Sequence, residues 1–258
     1  METTRYKLLM RYDGTDFAGF QVQPNQRTVQ GEVERALLKM TKGQFIRIHG
    51  AGRTDAGVHA KGQVIHFDYP ARLPADAMQR ALNTLVSDEI VFWQTEIVSD
   101  DFHAQYHAVS KTYEYRVYNQ TLRDPFKRNH ALHHPFPMEE EAIKEALSYL
   151  VGTHDFTSFS SAKTDKQNKV RTLYRADVQM DPIEKEWVFT FSGDGFLYNM
   201  IRIIIGNILP IADGRRKPEE MKRMLDAKDR QAAGMTAPPN GLCLMEVRYE
   251  KEEEKQKK

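Results

Sequence analysis

Residues 44–68, QFIRIHGAGRTDAGVHAKGQVIHFD, decide the fold because they put two strand-like segments in direct succession between two helices. Helical periodicity over 28–41 precedes the stretch, and Pro74 is a favourable first residue for the helix that follows it. Two strands between two helices are typical of the split βαβ unit of ferredoxin-like folds. The predicted order is strand 5–12, helix 28–41, strands 44–49 and 62–68, a helix opening at Pro74, and strand 89–98.

The second half of the chain repeats this order of elements without repeating the residues. We therefore predict an α+β fold of two ferredoxin-like (βαββαβ) halves that join a central antiparallel sheet, with a cleft between the halves. The predicted domains are 1–104 and 105–250, followed by a charged tail at 251–258. The predicted elements of the second half are strand 111–118, helix 138–151, strands 170–180 and 186–192, helix 196–209, a short helix after Pro218, and strand 242–249.

Composition excludes several classes of protein. The chain has 258 residues, of which 40% are hydrophobic and 28% charged, so a packed core is expected and wholesale disorder is not. The single cysteine, Cys243, excludes an internal disulfide and a cysteine-based zinc finger. The first ten residues lack the apolar stretch of a signal peptide, and the most apolar segment, 196–212, is too short to span a bilayer. We expect a cytoplasmic protein with no membrane partner.

The net charge is only +1, but basic residues are concentrated in two segments. Residues 161–176 hold five bases and one acid, and residues 202–223 hold six bases and three acids. Such patches on a neutral protein suit the binding of nucleic-acid phosphates. The alternative is a solvated loop and an ordinary charged helix face.

The densest chemical signal is the glycine-rich segment 50–60, GAGRTDAGVHA, between the two central strands. A plain hairpin needs only two to five residues, whereas this loop carries Arg53 and Asp55 on a frame of three glycines. It matches neither a Rossmann fingerprint nor a Walker loop. The alternative interpretation is an irregular turn in which Asp55 caps backbone amides.

A second signal is Arg202, the single charge in the apolar run 196–205. A guanidinium that is partly inside protein needs a carboxylate partner, and Asp55 is a natural candidate. Such a pair would keep Asp55 ionised, as a nucleophile requires. A snorkelling arginine or an ion pair with another acid is the competing interpretation.

Aromatic residues and histidines complete the candidates. Tyr113 shares a strand face with Tyr115, and a tyrosine beside a cleft can stack on a nucleobase, although most such tyrosines are half-buried sheet residues. His103 and His107 are four residues apart, but their segment has no helical pattern and no third ligand has metal-site spacing. We therefore expect no metal site.

Residues 52–59, GRTDAGVH, closely resemble the motif of the pseudouridine synthases, in particular the bacterial tRNA pseudouridine synthase A family. The resemblance covers nearly the whole chain. Departures are small: Phe20 stands where tryptophan is common, and residues 160–168 follow the pattern loosely, which leaves the RNA contacts there open. The segments that carry the resemblance are 12–21, 28–31, 62–64, 102–104, 111–115, 152–156, 170–172, 196–202 and 241–242.

The resemblance implies an isomerase that converts uridine to pseudouridine at positions 38, 39 and 40 in the anticodon stem-loop of tRNA. It implies a homodimer as the assembly and no cofactor. By position, Asp55 would be the catalytic aspartate, Arg202 its salt-bridge partner, and Tyr113 the residue that stacks on the target uracil. Arg53 would enter the RNA stack. The loop residues expected to contact the substrate beside it are Thr54, Gly57 and His59.

Two other classes stay open on the residues alone. A non-catalytic RNA-binding module of two RRM-like halves would read bases with sheet aromatics, but it has no need of a buried Asp–Arg pair. A metal-dependent hydrolase would use the histidines and would lose activity in a chelator.

Overall fold

A computed structural model of the chain describes residues 3–163 and 167–250. The predicted tail 251–258, and residues 164–166 of the first basic segment, lie outside the described residues. Contacts divide the chain into two compact units. Unit 1 comprises the described residues of Met1–Val109 and Leu244–Lys258, and unit 2 those of Ser110–Cys243.

The regular elements follow one another as strands and helices of ordinary length. In chain order they are β1 (Thr4–Tyr12), α1 (Val29–Met40), β2 (His49–Gly50), β3 (His59–Tyr69), α2 (Ala75–Leu85), β4 (Ile90–Val98), β5 (Ala108–Tyr118), β6 (Leu132–His133), α3 (Glu140–Ser148), β7 (Gly152–Asp155), β8 (Val170–Asp181), β9 (Glu186–Gly193), α4 (Met200–Ala212), α5 (Glu219–Ala227) and β10 (Leu242–Tyr249). Two short 3₁₀ helices lie at Thr157–Phe159 and Arg230–Ala232.

Unit 1 is built on a sheet in the order β4-β1-β3-β10, with the short β2 paired to β3. β1 runs antiparallel to both neighbours, and Leu8 lies opposite Ile65 of β3. Burial alternates along β1, so that Tyr6, Leu8 and Met10 enter the core while the residues between them do not. This alternation fixes the register of the central strand, because a slip of one residue would expose all three.

The helices of unit 1 follow directly from local sequence. Thr28 caps α1 by accepting a hydrogen bond from the Gly31 N–H at 3.2 Å. Val33 and Leu37 are fully buried on the apolar face of the same helix. In α2, which begins immediately after Pro74, Met78 is likewise fully buried.

Unit 2 is built on a sheet in the order β5-β9-β8-β7, with β6 running parallel to β5. The other pairs are antiparallel, and Tyr113 of β5 lies opposite Phe191 of β9. α4 is buried around most of its circumference, with Ile204 and Ile208 inaccessible to solvent. It is therefore the central helix of this unit, and it fixes the position of Arg202.

The α+β class is confirmed, and most predicted elements form within a few residues of their expected bounds. The predicted strand 44–49 is reduced to His49–Gly50. The helix predicted from 196 begins at Met200 because Asn199 takes a left-handed conformation, φ 61°. The strands β6 and β7 were not predicted. From Leu244 onward β10 belongs to unit 1, whereas the sequence pattern assigned it to the second half.

No helix in the described parts of the chain is long and apolar enough to cross a membrane.

Candidate active site

The loop 51–58 of unit 1 carries Arg53 and Asp55, and hydrogen bonds from another part of the unit hold it in place. The Phe20 N–H donates to the Thr54 carbonyl at 3.0 Å, and the Gly57 N–H donates to the Phe17 carbonyl at 3.2 Å. These contacts cross more than thirty residues of sequence. The loop is therefore a fixed structure rather than a free hairpin end.

The side chain of Thr54 anchors the middle of the loop. It is buried, and its hydroxyl makes a 2.8 Å hydrogen bond with the Tyr12 hydroxyl. Gln63, which is fully buried, donates to the Gly52 carbonyl at 2.9 Å and lies 3.4 Å from the same tyrosine oxygen. Thr54 thus points inward, between the exposed Arg53 and the half-buried Asp55.

Two glycines outside the loop allow the close packing. A Cβ on Gly14 would lie 2.0 Å from the Val58 carbonyl oxygen, a distance that no side chain can occupy. Gly19 has φ 99°, and a Cβ there would lie 3.0 Å from the Thr54 carbonyl oxygen. Gly57 has φ 77°, which makes the turn back into β3 possible. Glycine is required at these positions by contact and by conformation.

His59 closes the loop from the first residue of β3. The ring is buried, and its Nδ1 accepts a hydrogen bond from the Gly14 N–H at 3.0 Å. A carboxylate oxygen of Asp13 lies 3.1 Å from the same nitrogen. The loop is therefore fixed to the end of β1 through His59, and this histidine has a structural contact in addition to its predicted role at the substrate.

Arg53 and Asp55 have different exposures. Arg53 is exposed, and among the described residues its side chain makes no hydrogen bond or ion pair. Asp55 is half-buried, and its carbonyl oxygen accepts a hydrogen bond from the Val58 N–H at 3.1 Å, which forms a turn. The loop therefore carries an exposed arginine two residues before a half-buried aspartate.

Tyr113 lies on β5 in unit 2 with only 7% of its surface exposed. Its ring packs edge-to-face on Phe196, with ring centroids 5.1 Å apart and an interplanar angle of 79°. Such a pair restricts the rotation of the tyrosine ring. Burial raises the pKa of its strand neighbour Tyr115, whose hydroxyl donates to the Pro238 carbonyl at 2.8 Å.

Arg202 lies in the first turn of α4, and its guanidinium is held in two directions. Its Nε–H donates to the Ala237 carbonyl at 2.9 Å, and Nη1 donates to Asn199 Oδ1 at 2.8 Å. The Ala237 N–H in turn donates to the Arg202 carbonyl at 2.9 Å. The planar group is therefore fixed in orientation before any ligand arrives.

The structure brings five of the predicted site residues together in or beside one loop of unit 1, and it places the other two in unit 2. No role was predicted for Tyr12, Gln63 or Asn199. The left-handed backbone of Asn199 had no signal in the sequence, because a residue just before a helix usually has extended backbone. The five in unit 1 are Arg53, Thr54, Asp55, Gly57 and His59, and the two in unit 2 are Tyr113 and Arg202.

His103 and His107, which were considered above as metal ligands, accept hydrogen bonds from backbone N–H groups. The Nδ1 atom of His103 accepts a hydrogen bond from the Gln105 N–H at 3.2 Å, and the His103 N–H donates to Nδ1 of His107 at 3.3 Å. Both imidazoles thus help to shape the turn before β5.

The chain belongs to the tRNA pseudouridine synthase family. The family model with that description matches residues 8–107 and 146–250, which together make up most of the chain. Asp55 and Arg202 lie within the matched ranges, whereas Tyr113 falls in the interval between them.

Among its relatives, the chain is 52% identical to tRNA pseudouridine synthase A of Latilactobacillus sakei subsp. sakei, over 96% of this chain and 99% of that protein. It is 51% identical to tRNA pseudouridine synthase A of Lacticaseibacillus casei, over 95% of this chain and 100% of that protein. The protein of the same name from Geobacillus kaustophilus is 50% identical, over 97% of this chain and 96% of the relative.

Proposed function

We propose that this protein isomerises uridine to pseudouridine in tRNA, at positions 38, 39 and 40 of the anticodon stem-loop. The observation that carries the proposal is the loop 51–58, whose backbone is held by distant residues and whose Arg53 and Asp55 flank an inward-pointing Thr54. Membership of the tRNA pseudouridine synthase family supports the same reaction and substrate.

The reaction rearranges one nucleotide without an external reagent. The N1–C1′ bond breaks, the uracil turns within the site, and a C5–C1′ bond forms. The proton lost from C5 is balanced by the proton gained at N1, so that substrate and product have the same atoms. Nothing is oxidised and no group leaves the nucleotide, and we therefore propose that no cofactor or metal takes part.

Asp55 is proposed as the catalytic residue. A carboxylate can add to C1′ of the sugar, add to the pyrimidine ring, or remove a proton from the ribose. All three roles require the ionised form. We propose that Arg202 pairs with Asp55 and keeps it ionised, because an adjacent guanidinium favours the charged state of a carboxyl group.

The target base has to leave its stack before reaction, since the atoms that react are out of reach within a helical stem. We propose that Arg53 occupies the space left by the base and that Tyr113 stacks on the extruded uracil. The exposure of Arg53 and the restricted ring of Tyr113 suit these two roles. Thr54, Gly57 and His59 then shape the part of the pocket that the loop provides.

Release of tritium from tRNA labelled at uridine C5 tests this proposal, because every turnover loses the C5 proton. The wild-type protein should release tritium without added cofactor. Asp55→Asn should release none while its affinity for tRNA stays within a few-fold of wild type. Equal release by both proteins would contradict the role of Asp55, and binding without release by either would leave an RNA-binding module as the function.

We also propose that the protein is a cytoplasmic homodimer, as the family resemblance implies. Light scattering in solution should then give twice the chain mass of 29.9 kDa. A monomer at working concentration would contradict this part of the proposal.

A further inference from the structure

Unit 2 contains a basic surface groove that the proposed chemistry does not use. Two adjoining cavities, of about 250 and 240 Å³, lie along the C-terminal part of α4 and the first turns of α5, and both are lined by Arg216. We call these two cavities the arginine groove. Its other charged lining residues are Arg215, Arg223 and Glu220.

The three arginines differ in how far they are engaged within the protein. Arg215 forms a two-point ion pair with Asp213, which neutralises its charge. Arg216 has one carboxylate nearby, with its Nε 3.9 Å from Glu220 Oε2. Arg223 is exposed, and its side chain makes no ion pair or hydrogen bond among the described residues. Arg216 and Arg223 are therefore able to receive an anion from outside.

The floor of the groove is formed by closely packed backbone and by the side-chain amide of Asn207, whose hydrogen bonds are made within the protein. Asn207 is fully buried, and it donates to the Ile203 carbonyl and accepts from the Gly234 N–H, both at 2.7 Å. A Cβ on Gly206 would lie 2.1 Å from the Met235 carbonyl oxygen, so the chain is closely packed here. The floor thus provides shape, and the charge comes from the arginines at the rim.

We propose that the arginine groove binds the sugar-phosphate backbone of the tRNA substrate at a place away from the target base. This proposal rests on the proposed function, which supplies a polyanionic substrate. A guanidinium binds a phosphate through two parallel hydrogen bonds, and phosphate contacts fix the orientation of a nucleic acid whatever its sequence. The side chain of Met235, 74% exposed on the rim, offers an apolar surface for a ribose.

The salt dependence of tRNA binding tests this proposal through Arg216→Gln and Arg223→Gln. The logarithm of the binding constant falls with the logarithm of salt concentration by about 0.7 for each phosphate neutralised on a single strand and by about 0.9 on a B-form DNA duplex. Each substitution should therefore weaken binding and reduce this slope by about one, and the double variant should reduce it by about two.

The matched control is Arg72→Gln, just before α2, which removes the same charge from an exposed side chain that makes no ion pair or hydrogen bond among the described residues. It should leave the slope unchanged. The proposal is wrong if the groove variants behave like this control. It is also wrong if they change the mass of the protein in solution while the slope stays the same, because the groove would then be a protein interface. A failure of the proposed function is distinguishable, since it would appear as absence of turnover in the wild type.

A separate observation in unit 2 concerns Asn199, the residue before α4. A residue at this position commonly uses its side chain to cap the helix, but Asn199 makes no such bond. Its Oδ1 instead accepts a hydrogen bond from Nη1 of Arg202 at 2.8 Å. The backbone of Asn199 is left-handed, with φ 61° and ψ 8°. We infer that Asn199 is a positioning residue for Arg202. This inference rests on the proposed pairing of Arg202 with Asp55.

Two substitutions separate the backbone role of Asn199 from its side-chain role. Asn199→Gly permits the left-handed conformation but removes the acceptor, whereas Asn199→Asp tolerates the conformation and keeps an acceptor oxygen. We expect Asn199→Gly to lower kcat roughly tenfold with KM for tRNA and Tm little changed, because a hydrogen bond to a charged group is lost. Asn199→Asp should restore most of kcat.

Arg202→Lys, measured in parallel, distinguishes the positioning role of Asn199 from the proposed role of Arg202 itself. Loss of activity in Arg202→Lys together with full activity in Asn199→Gly would contradict the positioning role alone. Full activity in Arg202→Lys would contradict the proposed role of the arginine itself.

Discussion

His66 makes the stability of unit 1 depend on pH in a way that can be calculated from its surroundings. The imidazole is 3% exposed, packs against His49 and His103 with ring centroids 5.0 and 4.6 Å away, and accepts a hydrogen bond from the Ala104 N–H at 3.1 Å. Burial, and then the positive charges that its histidine neighbours would carry, lower the pKa of His66 to about 4. The folded protein therefore holds this ring neutral under conditions in which an unfolded chain would protonate it.

The lowered pKa of His66 determines the direction in which the stability of the protein changes with pH. Because the folded pKa lies below the unfolded value of 6.5, the unfolded state takes up the proton first, and stability falls as the pH drops from about 6.5 toward 4. At 1.36 kcal/mol per pKa unit, the full loss is about 3 kcal/mol, of which about 2 kcal/mol falls between pH 7 and pH 5. The pKa of His103 in the same unit is also lowered, mainly by burial, and it steepens the same profile.

Urea unfolding of wild type and His66→Asn at pH 7, 6 and 5 measures this contribution. The asparagine oxygen stands near the position of Nδ1, so the variant keeps an acceptor for Ala104 but cannot take up a proton. Its loss of stability between pH 7 and pH 5 should be about 2 kcal/mol smaller than that of wild type. His154→Asn, at a half-exposed histidine of unit 2, controls for removal of an imidazole as such.

Titration of the His66 ring protons by NMR measures the pKa of this imidazole directly. We expect a midpoint near 4. A midpoint at or above 6, or parallel stability profiles for wild type and His66→Asn, would refute the reasoning.

Three further predictions concern the frame of the site and its chemistry. Gly14→Ala places a Cβ 2.0 Å from the Val58 carbonyl, so we expect a loss of about 1–3 kcal/mol of stability in thermal melts together with reduced turnover. Gly206→Ala, with a Cβ 2.1 Å from the Met235 carbonyl oxygen, should destabilise the protein to a similar extent. A melting temperature equal to that of wild type would contradict this expectation. Turnover should be unchanged by EDTA, since the proposed reaction needs no metal; inhibition that added metal reverses would contradict this.

Elements set by local sequence were predicted well. Helix α1 begins where Thr28 can cap it, and its buried face follows the spacing of Val33 and Leu37. The loop 51–58 was also identified, because three glycines and two charges in a connection longer than a hairpin needs are a signal that does not depend on the rest of the fold.

Features set by distant contacts could not be predicted from the sequence. β10 pairs beside β3 in unit 1, where a Cβ on Gly62 would lie 2.2 Å from the Met245 carbonyl oxygen, and no periodicity shows with which half a final strand pairs. The packing of Gly14 on Val58 joins residues 44 positions apart. α4 begins four residues later than predicted, immediately after Asn199, whose left-handed backbone cannot belong to a right-handed helix.

The most direct test of the central claim is pseudouridine mapping on an unmodified tRNA transcript, by carbodiimide adducts and primer extension, after treatment with wild type or Asp55→Asn and no added cofactor. We predict stops at positions 38, 39 or 40 with the wild type, wherever the transcript has uridine there, and none with the variant. Absence of stops with the wild type on several correctly folded tRNAs, or the same stops with both proteins, would contradict the assignment of the reaction to the Asp55 loop.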